Sequence, residues 1–119
     1  MKQPIQLCAL LLLSLSLCYC GTARRGEPAF APVTLAGQQA VQGQVVFDTY
    51  CHKCHPGGEA GLGPAINNKP LPGFMIKFQV RNGVGVMPAF KDEVIPDEEL
   101  NNLVAYLKAL RKAKDEEAQ

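Results

Sequence analysis

Apolar residues recur at helical spacing in three stretches of the chain. The clearest stretch comes last, where Leu100, Leu103, Val104, Leu107 and Leu110 form one stripe. Pro96 suits the first position of such a helix, which has no use for a backbone N–H. Asp97, Glu98 and Glu99 stand at its positive dipole end, and Lys108, Arg111, Lys112 and Lys114 at its negative end. Residues 115–119 then read as a polar tail. Earlier, Ala36, Ala40, Gly43, Phe47 and Tyr50 share the spacing and predict a helix from about Leu35 to Tyr50, with Thr34 as its N-cap. Gly43 sits badly there, because glycine weakens a helix interior by about 1 kcal/mol relative to alanine. A close crossing by another helix would explain it. The third stretch, Phe74 to Asn82, reads as a short helix with Phe74 and Phe78 on one face and Ile76 and Val80 beside it. Gly83 is suited to end it in a left-handed conformation.

The connections carry the turn formers. Residues 56–64 hold four glycines and two prolines, and residues 67–73 form another turn-rich link. Residues 84–95 read as a loop with Met87-Pro88 at its centre. No stretch alternates as a strand would, and no segment repeats. The pattern predicts one small all-α domain.

The first 23 residues stand apart. Lys2 gives a positive start, Ile5 to Leu17 is mostly apolar, and small residues follow up to Ala23. This reads as a signal peptide over 1–23, cleaved after Ala23, and too short for a membrane span. An uncleaved N-terminal anchor is the alternative. Export would place the protein in the periplasm. Cys18 or Cys20 is a candidate lipid acceptor, although bulky Leu17 and Tyr19 precede them where such sites favour a small residue. Residues 24–33 read as a polar N-terminal arm, and 34–114 as the folded domain. Removing the leader takes away only Lys2, which leaves 11 basic and 11 acidic residues. A balance of this kind argues against nucleic acid as a partner.

Three of the five cysteines fall in the leader. The other two lie in Cys51-His52-Lys53-Cys54-His55, the pattern by which haem is attached covalently to protein. Each cysteine sulfur can form a thioether with one haem vinyl group. Two intervening residues let a single turn of chain reach both, and His55 follows as a ligand for the iron. The same pair could be half of a zinc site or a redox dithiol. Structural zinc needs two further ligands, yet no cysteine follows Cys54 and no histidine follows His55.

Three motifs in order carry a resemblance to class I monohaem cytochromes c. Gly43-x-x-x-Phe47 leads into the Cys51–His55 motif. Gly61-Leu62-Gly63-Pro64 follows. Asn82-Gly83-Val84-Gly85-Val86-Met87-Pro88-Ala89-Phe90 then precedes a helix containing Ala105-Tyr106-Leu107. The likeness covers about Ala36 to Arg111. It implies a cytochrome c fold, with three to four helices around one covalently attached haem c. It implies that the first and last helices cross at Gly43 with Tyr106 packed against the glycine and Phe47 nearby. It also implies that Pro64 offers its carbonyl to the ring of His55. Met87 would be the second axial ligand, presented by a loop stiffened by Pro88. Met75, among Phe74, Ile76 and Phe78, reads as a core methionine. His52 would face solvent. Asn67, Asn68, Lys69 and Arg81 are candidates for the haem propionates.

The function implied is that of a one-electron carrier rather than an enzyme. Its partners would be redox proteins such as a dehydrogenase, reductase, oxidase or another cytochrome, and it would act as a monomer. The rival is a haem peroxidase or gas-sensing domain, which requires an open sixth position at iron.

Overall fold

A computed structural model describes residues 35–117. Three helices make the frame: α1 (Gln38–Tyr50), α2 (Gly73–Asn82) and α3 (Asp97–Glu117). A single 3₁₀ turn, Pro56–Gly58, follows the haem-attachment motif. The described residues contain no strand, only an isolated bridge between Val84 and Met87. The signal peptide, the arm and Thr34 lie outside the described residues.

α1 packs along α3, and Gly43 is where they meet. A Cβ built on Gly43 would overlap the backbone carbonyl of Asn102 and come 2.9 Å from the Cβ of Tyr106. The missing side chain therefore lets two backbones touch, which repays its weak helix propensity. Phe47, one turn on, is fully buried, and its ring centroid lies 5.2 Å from that of Tyr106. Asn102 is buried at the same crossing and donates to Gln42 at 3.1 Å. Val46, Phe47, Val80, Ile95, Leu100, Leu103, Tyr106 and Leu110 join all three helices in one core. The stripe read from the sequence is thus the buried face of α3.

Some boundaries differ from expectation. α1 starts at Gln38 rather than Leu35, because Gly37 has φ 95°, outside the helical region. α3 starts one residue later than Pro96, whose carbonyl accepts from Leu100 N. It also continues to Glu117, so the expected tail is helical at least that far. Residues 112–117 are all Lys, Ala, Asp or Glu, and most of these are good helix formers.

Candidate functional site

The attachment motif is a tight turn hung from the end of α1. Cys51 N and His52 N both donate to Phe47 O, at 2.8 and 3.0 Å. Cys54 N and His55 N both donate to Cys51 O, at 3.1 and 2.9 Å. The two cysteines are free thiols, each half-buried on this one turn. Burial, helped by the neighbouring Cys54, pushes the Cys51 thiol up to about 11. Among the described residues, no three His, Cys, Asp or Glu side chains come together to hold a metal ion. Zinc consequently loses its missing ligands in space as well as in sequence.

His55 is buried, and the loop that follows holds its ring. Its Nδ1 lies 2.8 Å from Pro64 O. A carbonyl only accepts, so Nδ1 carries the proton and Nε2 is left with the lone pair a metal needs. Gly63 passes so close to the imidazole that a built Cβ would overlap the ring. The loop is closed by Gly63 N donating to Cys54 O at 2.9 Å and by Ile66 N donating to Gly58 O at 2.8 Å. The glycine-rich run thus serves as a close-fitting cradle for one histidine.

Met87 arrives from the other side of the sequence. α2 ends at Gly83, whose N–H bonds to Gln79 O. The chain then turns, with Met87 N donating to Val84 O at 3.0 Å, and returns to α2 through Phe90 N and Val80 O at 2.9 Å. Met87 is half-buried and packs against the core. Met75 does not behave as expected. It is 45% exposed, and its helix neighbours Phe74 and Phe78 are 71% and 67% exposed. Only Val80 of α2 is buried, because α2 meets the core along one narrow edge. Met75 is therefore not a core methionine.

These exposed side chains have a pattern. Leu62, Phe74, Met75, Phe78, Val84 and Val86 are all large, apolar and exposed, and all lie in the chain between His55 and Met87. Val41, Val45 and Val94 are exposed as well, but among the described residues the interval from His55 to Met87 holds six of these nine side chains, which makes it the stretch best supplied to line an apolar ligand. The residues present therefore fit haem: two thiols on one turn, a histidine with its Nε2 free, a methionine in a fixed turn, and apolar side chains to cover a macrocycle. A cleft of about 600 Å³ between α1 and the start of α3 contains none of these residues.

Two of the propionate candidates have other employment. Asn67 is buried and donates its amide to Glu59. Arg81 is bound to the loop of Met87 and to Asp97. His52 is exposed, as expected.

Comparison with known proteins agrees with this construction. The profile described as "Cytochrome C oxidase, cbb3-type, subunit III" matches residues 38–107, more than half of the chain. The chain belongs to the cytochrome c family. Among this cytochrome's relatives is the cytochrome c subunit of 4-cresol dehydrogenase [hydroxylating] from Pseudomonas putida. It is 39% identical over 75 residues, covering 63% of this chain and 66% of that subunit. Cytochrome c6 of Bryopsis maxima is 36% identical over 75 residues, covering 55% of this chain and 84% of that protein. Cytochrome c6 of Picosynechococcus sp. is 33% identical over 97 residues, covering 69% and 77%. No solved structure matches the chain significantly. The cytochrome carries one covalent haem c and is a monohaem electron carrier with an all-α fold.

Proposed function

We propose that His55 and Met87 are the two axial ligands of the haem iron, with Cys51 and Cys54 as the thioether attachment points. The observation that carries this is the His55 Nδ1–Pro64 O contact of 2.8 Å, which turns Nε2 into the free donor. Bound haem supplies the one-electron couple between ferrous and ferric iron. The protein's part is to hold both ligands still. The Cys51–His55 turn and the Gly63 cradle fix the histidine, and the Val84–Met87 turn fixes the methionine. A filled pair of ligand positions excludes peroxide or gas chemistry, so the cytochrome is itself not an enzyme. It passes electrons between redox proteins. The likeness to a dehydrogenase's cytochrome subunit supports a dehydrogenase as the electron donor. The apolar leader supports export to the periplasm.

Carbon monoxide tests the reading. The reduced protein is expected to leave its spectrum unchanged under carbon monoxide at neutral pH. A shift to a carbonyl spectrum at stoichiometric gas would mean an open sixth position, and the peroxidase or sensor reading would replace this one.

A further inference from the structure

Arg81 lies in the last turn of α2 and touches the loop of Met87 at two places. Its Nη1 donates to Phe90 O at 3.0 Å and to Ile95 O at 2.7 Å. Its Nη2 donates to Asp97 Oδ1 at 2.7 Å, and its Nε lies 3.0 Å from Asp92 Oδ1. The side chain is only 19% exposed. Its own carbonyl accepts from Lys91 Nζ at 3.4 Å. The segment that leaves α2 at Gly83 is thus brought back to the same residue at Phe90, and again at Ile95, before α3 begins. A guanidinium presents five donors in a rigid planar fork, whereas a lysine ammonium offers three on a flexible stem.

We infer that Arg81 is a positioning residue for Met87. By binding the carbonyls of Phe90 and Ile95 it holds the loop in the shape that keeps the Met87 sulfur at the iron. This rests on Met87 being the ligand, as proposed above. The competing role is a plain staple, in which ion pairs from Arg81 to Asp92 and Asp97 join α2 to α3 and the loop is incidental. Those two carboxylates are 71% and 83% exposed, and exposed pairs contribute little. The carbonyl of Ile95 is different. Ile95 is fully buried, and a buried carbonyl that loses a charged donor is costly.

The two roles separate when an added ligand competes with methionine. Ferric holoprotein is titrated with imidazole while the methionine-to-iron charge-transfer band is followed. Wild type is compared with Arg81→Gln, Arg81→Lys and Asp97→Asn, with far-ultraviolet circular dichroism as the check on helices. In Arg81→Gln the apparent imidazole affinity should rise about tenfold or more at unchanged helicity, since one lost charged hydrogen bond is enough for that factor. Arg81→Lys should fall between, because an ammonium reaches fewer of the acceptors. Asp97→Asn should stay within about twofold of wild type, as expected for an exposed pair. If Arg81→Gln loses its helices, the Arg81→Lys comparison decides in the same way. An Arg81 variant that keeps its band and binds imidazole like wild type overturns the inference. So does an Asp97→Asn effect as large as that of Arg81→Gln. A wild-type protein without the band sinks the reading of Met87 as ligand, and this inference with it.

Discussion

Gly43→Ala is expected to destabilise the cytochrome strongly, against the direction that helix propensity predicts. In an exposed helix interior the same change stabilises by about 1 kcal/mol. Here the added methyl group would overlap the carbonyl of Asn102 and press on Tyr106 Cβ. The main obstacle is the backbone of Asn102, and Tyr106 Cβ is fixed to the same helix, so no side-chain rotation relieves the overlap. α1 and α3 must separate, and the core behind them opens at Phe47 and Leu103. Overpacking of this kind costs typically about 1–3 kcal/mol, occasionally more, and a backbone obstacle belongs at the upper end. For a domain of this size, about 3 kcal/mol lowers the melting temperature by roughly 12 °C or more. Thermal unfolding of the holoprotein checks it. A Gly43→Ala protein as stable as wild type would mean that the helices do not approach as described.

Met87→Ala should have the second large effect, on the iron rather than on the fold. Met87 is half-buried at the edge of the core, so its truncation creates little internal cavity. Loss of the sulfur should abolish the methionine-to-iron charge-transfer band and lower the reduction potential, because methionine ligation raises it. The reduced variant should bind carbon monoxide. Met75→Leu is the control, since Met75 is 45% exposed, and a volume-conserving swap usually costs below about 1.5 kcal/mol. It should keep the band and exclude carbon monoxide. A band lost in Met75→Leu but kept in Met87→Ala would reverse the assignment.

Much of this was legible in the sequence, for physical reasons that can be named. The Cys51–His55 spacing specifies its own chemistry, because two thioethers and one iron ligand need that separation. The glycine at 43 signalled a helix crossing because it is costly anywhere else in a helix. The α3 stripe follows directly from burial at period 3.6, and Leu100, Leu103 and Leu110 are all buried. The failures are equally specific. Met75 read as a core methionine because hydrophobicity does not tell which surface a side chain serves. It is 45% exposed instead, on a part of α2 where Phe74 and Phe78 are exposed as well. Arg81 stood only as one of four candidates for the haem propionates. Its bonds to the carbonyls of Phe90 and Ile95 were not legible, because backbone acceptors leave no mark in a sequence. The buried Glu59–Asn67 pair was missed for another reason, since nothing in the sequence marks which two side chains of a loop will meet. Asn67 could only be read as one polar residue among several in a turn-rich stretch.

The central claim is that the cytochrome holds one haem through Cys51 and Cys54. It is tested most directly by absorption spectra of the purified protein in both redox states, taken before and after denaturation and extraction with acidic acetone. The expected result is a low-spin haem spectrum, with all of the haem remaining on the chain after extraction and none on a Cys51→Ser, Cys54→Ser double variant. Haem that passes wholly into the acetone, or a protein that carries zinc in its place, would contradict the account.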